Sequence, residues 1–172
     1  MFVNAQGNWW DNLRDNIRDN IPKIREHIEK VPKIPDYPHW TKVQFQKGDV
    51  LECQLVIPLA RHVLLATSDR DVIHMVGDQM SFKGHVREES WQNYHDREGE
   101  AQNKCRNAGD YGRRFTKDEA VERARQWKGK NDLYFSLNDC NCEHWVNYWI
   151  KDQAVSNQLG FLSLKSGPRC DI

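Results

Sequence analysis

The chain lacks an excess of charge of either sign. Lys plus Arg and Asp plus Glu each number 25, so no overall basic field argues for nucleic acid and no acidic one for a basic partner. It lacks long apolar runs: the longest, Leu55 to Ala60, contains Pro58 and falls far short of the ~20 residues a bilayer-spanning helix requires. The residues from Met1 to Gly7 have neither the basic start nor the apolar stretch of a secretory signal. Cysteine is sparse and odd in number, five in 172 residues. The expectation is therefore reduced thiols in a cytoplasmic setting rather than a disulfide framework. At this length there is room for one domain with a real core, plus an appendage.

Apolar residues at Trp10, Leu13, Ile17, Ile21, Ile24, Ile28 and Val31 recur in steps of three and four, which builds one apolar helical stripe interrupted at Pro22. Pro32, Pro35 and Pro38 then break the pattern. The predicted organisation is an amphipathic helical extension and Pro-rich linker over 1–38, followed by a domain over 39–172. In that domain three strands are expected: Val50 to Ile57, His62 to Ala66 and Asp71 to Val76. Ser68-Asp69-Arg70 has the composition of a tight turn between the last two. A three-residue loop sets Thr67 opposite Asp71, Leu64 opposite His74 and His62 opposite Val76, placing His62 and His74 diagonally on one face. The polar stretch from Asp78 to Arg114 shows no sustained period. Thr116 to Glu119 is a capping box opening a helix, and Leu133 to Ser136 is a short strand. Cys142, Trp145, Val146, Trp149 and Ile150 form the buried stripe of a last helix.

The chemistry suggested is thiol chemistry. Cys142 sits where a helix begins, and the partial positive charge of a helix N-terminus together with a nearby imidazole can favour a thiolate. His62 is the candidate base and His74 the candidate orienting partner, while the backbone N–H groups of the same helix start are potential oxyanion donors. Two other readings stand beside this one: a small core cysteine with structural histidines, and a metal site begun by Cys140, Cys142 and His144, which lacks the usual Cys-x-x-Cys spacing and a clear fourth ligand. No metal or cofactor is assigned. Cys140 could instead pair with Cys142 on oxidation. His85, His95, Cys105 and Cys170 have no assigned role.

Asn141-Cys142-Glu143-His144-Trp145-Val146 resembles the Asn-Cys-Glu-His-Phe-Val signature of the lecithin:retinol acyltransferase-like (H-box/NC) family, which includes the H-Ras-like suppressor phospholipase A/acyltransferases and picornaviral H-box/NC proteins. Gly48-Asp49-Val50-Leu51-Glu52 resembles the opening of that family's first strand, Pro58-Leu59-Ala60-Arg61-His62 its histidine box, and Val72-Ile73-His74-Met75 the strand of its second histidine. The resemblance spans roughly Gly48 to Lys151, three separated motifs in order. It implies an α+β, circularly permuted papain-like fold with an antiparallel sheet packed against helices. It also implies Cys142 as nucleophile, His62 as base and His74 as orienting residue, acting on glycerophospholipid esters through a thioester passed to water, an amine or an alcohol.

Ala60 and Val63 replace aromatic residues often found beside the first histidine in that family, and no apolar anchor follows Leu164. The leading expectation is a thiol phospholipase A or acyltransferase. The alternatives are a non-catalytic H-box/NC interaction module of the viral, host-factor-binding type, or a thiol peptidase or amidase. Expected partners are a phospholipid or other acyl ester, with peripheral membrane contact, and no nucleic acid. Because acidic and basic residues are mixed on the polar face of residues 9–31, that helix is expected to dock against protein rather than lipid.

Overall fold

Residues 36–55, 60–78, 81–137, 139–156 and 170 are described by the computed structural model. The chain divides into two units, Met1–Pro35 and Asp36–Ile172. The first lies outside the described residues, and with it the expected helix over 9–31.

In the second unit, β1 (Val50–Gln54), β2 (Arg61–Ala66), β3 (Asp71–Asp78), β4 (Lys83–Ser90), β5 (Cys105–Gly109) and β6 (Leu133–Tyr134) form one sheet in the order β5-β1-β2-β3-β4-β6. Every neighbouring pair is antiparallel. Among the described residues three α-helices cover the sheet: α1 (Trp91–Glu98), α2 (Lys117–Arg125) and α3 (Cys142–Lys151). The α+β architecture with an antiparallel sheet against helices is thus as expected.

Strand alternation sorts the core into two layers. Val63 and Leu65 of β2 and Ile73 and Met75 of β3 pack with Ala120, Val121 and Ala124 of α2 and with Trp145, Val146, Trp149 and Ile150 of α3. Leu51, Leu64 and Val72 point the other way, onto Trp91 and Tyr94 of α1. A period of two along the strands puts successive residues into opposite layers, so a one-residue slip would exchange the two cores. The β2–β3 register has the expected offset, with Leu65 facing Ile73, Ala66 facing Val72 and the Thr67 N–H donating to Asp71 O at 2.8 Å, but the expected Leu64–His74 and His62–Val76 pairs do not form because the strands part after Leu65. Ser68 fixes the loop, since its hydroxyl accepts from the N–H of Arg70 (3.0 Å) and Asp71 (2.9 Å). Thr116 forms the expected capping box with Glu119 at the start of α2.

The cysteines depart from expectation. Cys53 on β1 and Cys105 directly opposite on β5 form a disulfide, and Cys140 pairs with Cys170. Five reduced thiols are therefore overturned, and Cys142 is the free cysteine. Closing loops of these lengths contributes roughly 3–4 kcal/mol each in the chain-entropy view. With Cys140 bonded to Cys170, it is neither a bystander thiol nor a partner for Cys142, the two readings its sequence position allowed.

Gly77 and Gly84 face each other across β3 and β4. A Cβ on Gly77 would overlap the Phe135 ring, and one on Gly84 would meet Met75 and Phe135. The paired glycines are the slot in which Phe135 lies. Gly77→Ala is expected to cost about 1–3 kcal/mol in urea unfolding, with much of that cost removed in a Phe135→Ala background; an equal cost in both backgrounds would count against the slot.

Candidate functional site

The hexapeptide motif begins as a helix cap. The Asn141 side-chain oxygen accepts from the N–H groups of Glu143 (2.9 Å) and His144 (3.3 Å), while His144 Nδ1 accepts from the Asn141 N–H at 3.1 Å. Histidine takes the place that Glu or Gln holds in the ordinary capping box. For this His144 must be neutral, and burial lowers its pKa. A metal reading of Cys140, Cys142 and His144 does not survive, since Cys140 is oxidised and the His144 Nδ1 lone pair is engaged.

The cap fixes where Cys142 points. Its sulfur accepts from the Val63 N–H at 3.4 Å and faces Arg61 O at 3.8 Å. Continuing the β2–β3 register would give Val63 to Met75 and Arg61 to Gly77. The sulfur therefore stands where β3 would otherwise bond, in a gap opened between the two strands.

His62 and His74 border the same gap from the opposite side of the sheet. The Tyr94 ring of α1 stacks on His62 (5.9 Å, 12°) and meets His74 edge-on. His62 Nε2 lies 2.8 Å from His74 Nδ1, and His74 Nε2 lies 2.8 Å from Glu89 Oε1, which also takes Arg97. A carboxylate only accepts, so His74 donates from Nε2 and, when neutral, accepts from His62 at Nδ1. Burial lowers the pKa of both imidazoles, reinforced at His62 by competition with His74 for a proton and by the positive charge of Arg97. Glu89 is brought down to about 2: burial opposes this, but the hydrogen bonds from His74 and Arg97 outweigh it.

The structure thus gathers Cys142, His62 and His74 around one gap, without a hydrogen bond from the sulfur to either imidazole. Burial raises the Cys142 thiol to about 12, against the Val63 N–H, which favours the thiolate. Two carboxylates that sequence reasoning left aside lie alongside. Glu143 accepts from Tyr111 and Ser156, each at 2.5 Å. Glu52 accepts from Tyr37 (3.0 Å) and Arg106 (2.8 Å). Arg61 lies 3.4 Å from Glu52 and 3.9 Å from Glu143, between two fully buried acids.

The chain's assignment as a thiol phospholipase A or acyltransferase is corrected by these findings. Four cysteines, Cys53 and Cys105 among them, are locked in disulfides. The free one is a buried, protonated thiol bonded to backbone, and His62 shares its Nε2 proton with His74. No family model and no curated protein matches the chain.

Because the folded imidazoles bind a proton less readily than unfolded ones, the unfolded state takes up protons first once pH falls below the ordinary 6.5, and stability is lost from there downward. Glu89 and Glu88, both held near 2 against an ordinary 4.5, lose their contribution between those values. The urea midpoint is expected to fall in two stages on acidification. His62→Gln should shrink the upper stage and Glu89→Gln the lower; a midpoint that stays flat from about pH 7.5 to 5 would contradict the buried neutral pair.

Proposed function

We propose that this chain is a non-catalytic interaction module on the circularly permuted papain-like scaffold its motifs resemble, acting through protein contact. The observation that carries this reading is the state of Cys142: its sulfur completes the hydrogen bonding of β2 where β3 departs. The other motif residues serve the fold as well. Asn141 and His144 cap α3. Asp49 accepts from Lys117 and Asn107, each at 2.8 Å. Glu52 and Glu143 hold Arg61. His62 and His74 support the Tyr94 ring, and each imidazole is held in one tautomer by the next group in the line to Glu89.

Such a domain works through its surface. Phe82 is about half exposed and stacks on Tyr134 at the edge of the sheet, where β6 supplies two residues. An exposed aromatic ring stacked on a neighbour suits a protein contact, since aromatic residues are enriched in such interfaces.

The test is intact-mass analysis of the full chain after incubation with phosphatidylcholine vesicles. No acyl adduct is expected on Cys142, with fatty-acid release no greater than from Cys142→Ala. A stoichiometric adduct on Cys142 would overturn the proposal. As a structural residue Cys142 has a second signature: Cys142→Ala should lower stability by about 1–2 kcal/mol through the unpaired Val63 N–H.

A further inference from the structure

The Cys53–Cys105 bond has a third neighbour. His95 of α1 is buried, with Nε2 3.8 Å from Cys105 Sγ and with Nδ1 buried and lacking any hydrogen-bond partner. The ring is clamped by aromatic groups, stacked on Trp40 (4.4 Å, 9°) and edge-on to Trp91 (4.2 Å). One donor atom from each of Cys53, His95 and Cys105 lies within 4.8 Å of the others, and all three residues are buried.

We infer that Cys53, Cys105 and His95 form a zinc site when the disulfide is reduced, so that an ion takes over the link between β1 and β5. Geometry and donor chemistry both support this. Zn–S near 2.3 Å and Zn–N near 2.0 Å place donors roughly 3.5–4 Å apart around a tetrahedral ion, so opening the S–S bond by side-chain rotation suffices to make room. Two thiolates and a neutral imidazole around a dication sum to zero charge, which an aromatic-lined pocket accepts where an uncompensated charge would be expelled. The Gln102 carbonyl oxygen lies 3.5 Å from Cys105 Sγ and is a candidate fourth donor. Soft sulfur donors combined with imidazole match zinc rather than calcium or magnesium. In the disulfide form His95 Nε2 is left with only a long 3.8 Å contact to the Cys105 sulfur, as a ligand without its ion would be.

The exchange balances. A dithiol reductant supplies two electrons and two protons, the S–S bond breaks to two thiols, and the reductant closes to its own disulfide. Zn²⁺ then displaces both thiol protons to solvent and accepts electron pairs from the two sulfurs and from His95 Nε2. A disulfide oxidant reverses this: it takes two electrons from the two thiolates and two protons from solvent to become a dithiol, the S–S bond re-forms and Zn²⁺ is released. In either state the edge strand stays fastened to the sheet.

The test uses the full chain reduced with a trialkylphosphine under argon and titrated with Co²⁺. One sulfur-to-cobalt charge-transfer band per chain is expected, bleached by Zn²⁺ and absent from the oxidised chain. With Zn²⁺ bound, Cys53 and Cys105 should resist iodoacetamide while Cys140 and Cys170 are alkylated. His95→Gln should weaken binding about tenfold or more, and Cys140→Ser/Cys170→Ser should leave it unchanged. No band from the reduced wild type, a band that persists in Cys53→Ser/Cys105→Ser, or protection at Cys140 instead would overturn the inference. The comparison of oxidised with reduced wild type needs no variant to fold, and far-ultraviolet circular dichroism on both shows that the same fold is being compared.

Discussion

The placement of one sulfur atom organises the centre of this molecule. Two strands that pair at Leu65–Ile73 and Ala66–Val72 separate beyond that point, which would leave the N–H of the fully buried Val63 without a partner. An unpaired buried backbone group costs as much as a lost hydrogen bond. The Cys142 side chain fills the opening, and it can do so because the Asn141–His144 cap fixes the first turn of α3 against β2. The gap in turn makes room on the other face for His62, His74 and the Tyr94 ring. The helix cap, the split ladder and the histidine line are one arrangement.

The surrounding charges follow the same logic. Glu52 and Glu143 are fully buried carboxylates, which are tolerated only when paired and hydrogen-bonded. Arg61, the residue before His62, supplies positive charge to both, and Tyr37, Arg106, Tyr111 and Ser156 supply hydrogen bonds. Removing Arg61 would take a positive charge from both acids at once, so the pattern around the gap is mutually dependent rather than additive.

Much of the frame was legible in the sequence, because its signals are local. The β2–β3 register followed from the Ser68-Asp69-Arg70 turn, and the buried stripe of α3 from helical spacing at Cys142, Trp145, Val146, Trp149 and Ile150. What escaped depends on distant partners. β4 reads as polar because Glu88 and Glu89 lie in it, yet it pairs with β3 from Ser90 to Lys83, and those acids are matched by Arg125, Lys128 and Arg97. α1 and β5 fell in the same unreadable stretch. The disulfides could not be foreseen from an odd cysteine count, since Cys53 and Cys105 meet only because β5 lies beside β1. At His144 a signal was present and missed: Asn141 followed three residues later by a side chain able to accept is a capping box with histidine in the acidic position.

The thiol reading failed on relative magnitudes. A helix N-terminus contributes ~0.3–1 kcal/mol to a nearby negative charge, and up to ~2 in favourable, partly buried geometry. Raising the Cys142 thiol from 9.0 to about 12 corresponds to roughly 4 kcal/mol against the thiolate. Desolvation therefore outweighs the helix end. An ion pair with His62 could reverse that balance only if the imidazole readily carried a proton, and burial beside His74 and Arg97 disfavours it. The same residues that mark a nucleophile in the sequence thus settle, once buried together, into separate hydrogen-bonded arrangements, the sulfur against the β2 backbone and the imidazoles in line to Glu89.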